Sequence, residues 1–221
     1  ACTSPYWFID PVIAKPCLKE SVRHGVTTVV IGSCSISMIL SEALDCSDLF
    51  TRVEAVPREQ VLPILKEKKT WSSIEDYVAF FDQHPVGPNV ASYVGHSDLR
   101  TAVMGLGRAT NPDVVPSSSE LDQMSNHLES GMKAGLLGLS TMTTYWDKID
   151  GDRFRSASLP STYAKWKEFR RLNKVLRKFG RIHQGAPNIV TKWNTALFFF
   201  ESLGLWRKKL KTTLITLIVS T

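Results

Sequence analysis

Short apolar runs alternate along the chain with longer amphipathic stretches. Residues 26–32 form a continuous, β-branched run that ends in glycine. An apolar run of this length without polar alternation is typical of a strand that is buried on both faces of a parallel sheet. Further strands are predicted at residues 88–95, 135–140, 181–184 and 210–219. The chain is therefore expected to form a parallel sheet covered by helices.

Apolar side chains at helical spacing predict helices between these strands. Within residues 71–81, Ile74, Val78 and Phe81 share one face, and Ser72 is predicted to cap the first turn. Further helices are predicted over residues 57–68, 119–134, 161–179 and 189–203. The most economical architecture for this repeated order of strand and helix is a parallel α/β barrel or a doubly wound sheet.

Residues 36–70 interrupt the order, because they contain one predicted helix and no predicted strand. A long excursion of this kind usually forms a lid or a substrate loop. The chain has 221 residues, of which 43% are hydrophobic, and this is enough for a substantial core. We therefore expect one domain over residues 1–221 with a lid insertion at residues 36–70.

Charge is distributed unevenly along a chain whose net charge is +6. Residues 165–221 hold 13 basic and 2 acidic side chains. This excess is compatible with nucleic-acid binding, with a membrane-facing segment or with the solvent-exposed face of a helix that packs on the core. The spacing of Trp193, Leu197, Phe200 and Leu203 favours a helix packed on a sheet with its lysines in water. We therefore predict no nucleic-acid partner and no membrane partner.

The cysteines bear on the cellular compartment. All four precede residue 47 and none forms a C-x-x-C pair, so neither a structural zinc site nor a disulfide framework is indicated. The last uncharged apolar run, residues 212–221, has ten residues, whereas about 20 are needed to span a bilayer. These features, together with the lack of a signal-peptide pattern, predict a cytoplasmic location.

Chemistry in parallel α/β folds lies beyond the carboxyl ends of the strands, and reactive side chains occur at these positions here. Cys34 follows the first predicted strand, His96 the second and Thr141 the third, while His183 lies near the fourth. A cysteine and a histidine on neighbouring strand ends could bind a metal ion. The alternative for Cys34 is a buried packing residue, which is common for free cysteines.

Specific sequence strings favour the metal site. Residues 24–34, HGVTTVVIGSC, resemble the H-G-V-T-T-V-V-x-G-N-C-G signature of the N-acyl-D-amino-acid deacylase branch of the amidohydrolase superfamily. Residues 71–77, 89–100 and 134–141 are similar, in the same order, to W-x-S-F-x-E-Y, N-V-x-x-x-V-G-H-x-x-L-R and A-G-A-L-G-F-S-T of that branch. The resemblance covers about residues 7–184.

This resemblance implies a (β/α)8 barrel enzyme that hydrolyses a carbon–nitrogen amide bond other than a peptide bond, with an N-acyl amino acid or a related amide as substrate. In such enzymes a metal ion activates water and polarises the carbonyl oxygen, and an aspartate at the last strand moves the proton. Cys34 stands where the family has a zinc-binding cysteine, and thiolate is a good ligand for zinc. Zinc is therefore the expected cofactor.

Five further residues are predicted to contact the substrate. His96 either orients the substrate or caps the helix that follows it. Glu54, in the lid, is either a metal or substrate contact or a solvated surface group. Tyr145 either lines an apolar pocket or packs within a hairpin, and Arg100 and Thr141 complete the set.

The chain departs from the family pattern at positions that matter for catalysis. The family's metal-binding H-x-H pair should lie just before residue 7, where this chain has Ala-Cys-Thr-Ser, with Cys2 near the second histidine. The strand that carries the catalytic aspartate is expected beyond residue 221. We therefore expect a truncated or degenerate copy, a partial TIM-type (β/α)8 barrel of the α/β class that lacks the first and last strands. His183 matches an apolar family position and is interpreted as structural.

Two functional hypotheses follow from these observations. The first is a zinc-dependent hydrolase of N-acyl amino acids. The second is a non-catalytic fragment or pseudoenzyme that binds acyl-amino-acid-like ligands. In either case the exposed strand edges of a partial barrel predict self-association.

Overall fold

The computed structural model describes residues 17–187, 192–204 and 208–215 of the chain. Its strands are β1 (Thr28–Ile31), β2 (Asn89–Ser92), β3 (Val94–Gly95), β4 (Gly138–Met142), β5 (Ile182–Ala186) and β6 (Lys211–Leu214). Its helices are α1 (Lys19–Arg23), α2 (Ala43–Phe50), α3 (Arg58–Lys68), α4 (Ile74–Gln83), α5 (His96–Met104), α6 (Leu106–Ala109), α7 (Ser118–Lys133), α8 (Trp166–Phe179) and α9 (Lys192–Leu203). A 3-10 turn, Pro160–Tyr163, precedes α8.

All of these strands pair in parallel, which confirms the predicted α/β class. β1 pairs with β2 in a two-stranded sheet, and β3, β4, β5 and β6 form a four-stranded sheet in that order. In the larger sheet Val94 pairs with Leu139, and Ser140 pairs with Gln184. The strands of the described part form no closed barrel.

Two details of the first half correct the sequence predictions. The strand predicted at residues 88–95 is divided at Tyr93 into β2 and β3, which lie in different sheets. The cap of α4 is Ser73 rather than Ser72, because Ser73 has extended backbone and its hydroxyl accepts a hydrogen bond from Asp76 N at 3.0 Å.

The main core lies between the sheets and the helices that cover them. Leu139 of β4 is fully buried in it, together with Met124 of α7 and Leu172 of α8. Side chains alternate between the two faces of a strand, so Ser140, next to Leu139, points away from these helices. This alternation separates a helix-facing side of the sheet from a polar side.

The predicted insertion has a hydrophobic core of its own. It contains two helices, α2 and α3, where the sequence predicted one. Residues 46–50 of α2 are all buried, including the polar Ser47 and Asp48, so the order of polar and apolar residues does not reveal the buried face of this helix in the sequence. Leu49, Leu65 and Ile149 are buried in the same cluster, which joins the insertion to the segment that follows β4.

The orientation predicted for α9 is wrong. Phe198 is the buried aromatic residue, whereas Phe200 is 55% exposed and Leu203 is 58% exposed. The reason lies in β5, where a Cβ atom at Gly185 would be 2.7 Å from the Phe198 ring, so the missing side chain makes room for that ring. The predicted stripe residue Trp193 has a side chain outside the described part.

Several predictions fall outside the described residues. These are the region of the H-x-H pair with Cys2, the start of the last predicted helix at residues 189–191, and the end of the last predicted strand at residues 216–219. Within the described ranges, no helix is both long and apolar enough to cross a membrane.

Candidate metal and substrate site

Cys34 lies in a tight turn directly after β1. Cys34 and Ser35 have φ values of 57° and 66°, the left-handed region that residues with a Cβ atom rarely adopt. Ser35 N donates to Ser140 Oγ at 3.2 Å, and that hydroxyl donates to Gly32 O. A Cβ atom at Gly95 would lie 2.4 Å from Ser35 O, so the turn also packs directly on the end of β3.

The Cys34 thiol is buried next to acidic groups. Cys34 is 5% exposed. Burial, followed by the negative charges of Glu54 and Asp147, raises the pKa of the Cys34 thiol to about 12. The protonated thiol is therefore the stable form at neutral pH, unless a positive charge is bound nearby.

Glu54, which follows α2, is the second member of this acidic group. It is 9% exposed, and its Oε2 atom is buried without a hydrogen-bond partner among the described residues. Burial, with a contribution from the charge of Asp147, raises the pKa of Glu54 to about 7. Asp147 itself accepts a hydrogen bond from Thr144 Oγ1. The group thus combines a protonated thiol with two carboxyl groups, and one carboxyl oxygen, Glu54 Oε2, is unsatisfied.

His96 begins α5 and is completely buried. Its Nε2 atom lies 2.7 Å from Glu168 Oε1, and its Nδ1 atom lies 3.0 Å from Ser161 Oγ. Burial lowers the pKa of His96, although the Glu168 carboxylate opposes this shift, so the neutral ring is favoured. Arg100, equally buried, donates from Nη1 to Glu168 Oε2. His96 and Arg100 therefore have partners within the protein, and their contact with substrate stays a prediction.

Thr141 lies on the side of β4 that faces the helices. Its hydroxyl is 2.9 Å from His183 Nε2, and His183 packs edge-on against Phe198 at a ring distance of 4.9 Å. Burial lowers the pKa of His183 to about 3, which fits its predicted structural role. A small cavity adjoins these side chains and is lined by Thr141, Thr143, Trp166, Phe169, His183, Gly185, Pro187 and Phe198. Substrate contact by Thr141 stays a prediction.

Tyr145, in the segment after β4, is 54% exposed, and its neighbour Trp146 is 60% exposed. The main chain of Tyr145 accepts a hydrogen bond from Ser158 Oγ at 3.5 Å, and Lys148 pairs with Ser158 across a short bridge. The segment therefore forms a hairpin joined by this bridge, but both aromatic rings are open to solvent and not packed within it, and substrate contact by Tyr145 stays a prediction. Such exposed rings are free to contact a ligand.

Sequence reasoning missed Asp98, which organises the loop after Cys34. Its carboxylate accepts hydrogen bonds from Ser37 Oγ at 2.6 Å and from the main-chain N–H groups of Ile39 at 2.7 Å, Leu40 at 3.0 Å and Ser41 at 2.8 Å. The signal was an acidic residue two positions after His96 at a helix start, where carboxylates are favoured. This position in the sequence does not reveal that the hydrogen-bond donors to Asp98 come from residues 37–41.

Glu168 is the second missed residue. It lies in the first turn of α8, directly after Lys167 and three residues after Lys165, and a run of charged residues of this kind predicts a solvated side chain. It is instead 2% exposed. Burial would raise its pKa, but hydrogen bonds and charges from His96 and Arg100 outweigh burial, so the pKa of Glu168 is lowered and the carboxylate is ionised.

Comparisons with known proteins show which enzymes the chain is similar to. No protein-family model matches the chain. The chain is 50% identical to an uncharacterized protein of Mycobacterium tuberculosis over 198 residues, which are 90% of this chain and 32% of that protein. It is 31% identical to an N-acyl-D-aspartate deacylase of Alcaligenes xylosoxydans xylosoxydans over 135 residues, 61% of this chain and 24% of that enzyme. The resemblance to the N-acyl-D-amino-acid deacylases is confirmed.

Solved deacylase structures share the fold. A D-aminoacylase with a binuclear metal centre matches 80% of this chain and 32% of its own length, with a TM-score of 0.57 and 20% identity. An N-acyl-D-glutamate deacylase of Bordetella bronchiseptica, solved with zinc and a phosphonate inhibitor, gives a TM-score of 0.55 and 23% identity over 80% of this chain and 31% of that one. The chain spans about a third of the length of the relatives it matches.

Proposed function

We propose that this chain is part of a zinc-dependent deacylase that hydrolyses the amide bond of N-acyl amino acids, with Cys34 as a zinc ligand. The observation that carries the proposal is the burial of Cys34 and Glu54 close to each other and to the half-buried Asp147, beyond the carboxyl end of β1. Acidic groups are costly to bury together without a positive charge, and a bound cation would remove that cost.

The donor set fits zinc in its chemistry. Cysteine sulfur and carboxylate oxygen are both zinc ligands, and the free Oε2 atom of Glu54 offers one such oxygen. In the described ranges no three histidine, cysteine, aspartate or glutamate side chains form a set that could hold a metal ion. We therefore propose that the remaining donors come from outside the described residues. Bound zinc would act as a Lewis acid toward the substrate carbonyl.

The chain's own residues would supply metal and substrate binding. Glu54, with a pKa of about 7 in the absence of a metal ion, releases its proton near neutral pH, so its Oε2 atom is able to bind a cation there. Tyr145 and Trp146 offer exposed aromatic surface for the apolar part of an N-acyl amino acid. His96 and Arg100 are bonded to Glu168 and would act on the site indirectly, through their protein partners. A substrate could contact Thr141 only by approaching the side of β4 that faces the helices.

We also propose that the described strands are part of a (β/α)8 barrel within one domain. The described cysteines Cys17, Cys34 and Cys46 are free thiols, which fits a cytoplasmic location. Self-association is supported by the exposed apolar side chains Phe200 and Leu203 on α9.

Hydrolysis of N-acetyl-D- and N-acetyl-L-amino acids by the zinc-loaded chain tests the function, with released amine as the readout. We expect amine release that a chelator abolishes and that Cys34→Ser and Glu54→Gln each reduce at least tenfold. Glu59→Gln is the matched control, because Glu59 is an exposed glutamate on α3. Absence of amine release, or release that Cys34→Ser leaves unchanged, would refute the catalytic proposal.

A non-catalytic binding role is the second candidate, favoured by the absence of a three-donor metal set among the described residues. In that case an N-acyl amino acid should raise the thermal unfolding temperature without any amine release. Loss of this stabilisation in a Tyr145→Ala variant would locate the ligand near the hairpin.

A further inference from the structure

A continuous set of buried hydrogen bonds runs from α8 to the turn that holds Cys34. Glu168 Oε1 is 2.7 Å from His96 Nε2, and His96 Nδ1 is 3.0 Å from Ser161 Oγ. Ser161 N donates to Ser97 Oγ at 3.1 Å, and Ser97 Oγ is 2.7 Å from Ser35 Oγ. All five residues are at most 2% exposed. We call this set the serine–histidine chain.

The donors of the serine–histidine chain can be assigned from Glu168 as far as Ser97. The ionised Glu168 accepts a hydrogen bond from His96 Nε2–H, so the Nδ1 atom of the neutral ring is an acceptor. Ser161 therefore donates its hydroxyl proton to His96, while its oxygen accepts from Met142 N at 3.3 Å. In the last link either the Ser97 or the Ser35 hydroxyl can donate. A buried chain in which every member has a partner holds its members in one conformation.

The far end of the serine–histidine chain is a strained segment. Cys34 and Ser35 both have positive φ, and such a conformation is unfavourable for a residue with a Cβ atom. Ser35 also accepts at its main-chain oxygen from Ser97 N at 3.0 Å. Strained conformations persist where surrounding contacts fix them, and Ser97 provides two such contacts.

We propose that Ser97 and Ser161 are positioning residues, which hold the Cys34 turn in its left-handed conformation and so aim the Cys34 sulfur at a bound divalent metal. The inference rests on the proposed function, because it assigns these serines a role only if Cys34 binds metal. Outer partners of metal ligands commonly change metal affinity by about 10-fold to 100-fold when they are removed.

Cobalt(II) titration of the purified chain tests this proposal, because a thiolate bound to cobalt gives a charge-transfer absorption band that other ligands do not. The variants are Ser97→Ala and Ser161→Ala, and Cys34→Ser identifies the band. Ser125→Ala is the matched control, because Ser125 bonds within its own helix, to Leu121 O at 2.7 Å, away from the serine–histidine chain.

We expect the wild-type chain and Ser125→Ala to bind cobalt with the thiolate band and equal affinity. Ser97→Ala should bind at least tenfold more weakly with a shifted band. Ser161→Ala loses the side-chain anchor to His96 Nδ1 but keeps the main-chain N–H that donates to Ser97, so it should weaken binding in the same direction. Ser161→Ala is the variant that decides if Ser97→Ala does not fold by circular dichroism. An unchanged band and affinity in the folded variants would overturn the positioning role alone. A wild-type chain without a band that depends on Cys34 would overturn the proposed function and this inference together.

Discussion

Asp98→Asn is predicted to destabilise the protein strongly, because one carboxylate holds the whole loop that follows the Cys34 turn. Asp98 is fully buried, and its Oδ2 atom accepts from Ser37 Oγ, Ile39 N and Leu40 N, while Oδ1 accepts from Ser41 N. An asparagine has only one acceptor oxygen. If that oxygen takes the Oδ2 position, the amide nitrogen faces the main-chain N–H of Ser41, donor against donor.

The magnitude follows from these contacts. Losing the bond to Ser41 removes a charge-assisted hydrogen bond of about 1.5–3 kcal/mol, and the N–H group left unsatisfied costs about 1–3 kcal/mol more. Removing a buried charge offsets part of this cost. We therefore expect the free energy of unfolding to fall by about 3 kcal/mol. Asp122→Asn is the matched control, because Asp122 is exposed and pairs with Arg171 on the surface, where an ion pair contributes about 1 kcal/mol or less.

Urea unfolding followed by tryptophan fluorescence measures this difference. Trp71 reports on the loop, because its indole Nε1 donates to Met38 O at 3.1 Å. The reasoning fails if Asp98→Asn lies within about 1 kcal/mol of the wild-type chain. It also fails if Asp122→Asn is as destabilised as Asp98→Asn.

Three further predictions use the same unfolding assay. Phe198→Ala should cost about 3–5 kcal/mol and Phe200→Ala less than about 1 kcal/mol, and equal costs would contradict the observed orientation of α9. His183 has a folded pKa of about 3, below its ordinary value, so stability is complete above about pH 6.5 and falls as the pH is lowered toward 3. His183→Leu should reduce this slope by about 1.4 kcal/mol per pH unit between pH 6 and 4, and an unchanged slope would refute the assignment. Ser35→Ala should be less stable than Ser35→Gly by about 1 kcal/mol, because alanine keeps the left-handed strain and glycine does not, and the reverse order would show that the turn is unstrained.

The strands and most helices are predictable from the sequence because their burial leaves a local pattern. The β-branched run at residues 26–32 contains β1, and the apolar spacing at residues 119–134 differs from α7 by one residue at each end. α2 leaves no such pattern, because its buried residues include the polar Ser47 and Asp48, and Asp48 is paired with Arg58 and Arg153. In α9 three phenylalanines follow one another, and only the empty space at Gly185 decides which ring is buried.

The site is predictable only in part for a related reason. Cys34 is marked by its motif and by its position after a strand. Asp98 and Glu168 look like surface carboxylates in the sequence, and their importance comes from donors distant in the chain, such as the N–H groups of residues 37–41 and the side chain of Arg100. Local pattern does not reveal such long-range partners.

Proton release on zinc binding tests the central claim most directly. Because the pKa of the Cys34 thiol is raised to about 12, the metal-free thiol is protonated at pH 7, and coordination must release that proton. Isothermal titration calorimetry in buffers of different ionisation enthalpy counts the released protons. The wild-type chain should release about one proton more per zinc than Cys34→Ser, and Cys46→Ser, which alters another buried thiol, should match the wild-type chain. Equal proton release by the wild-type chain and Cys34→Ser, or no zinc binding by the wild-type chain, would contradict the assignment of Cys34 as a metal ligand.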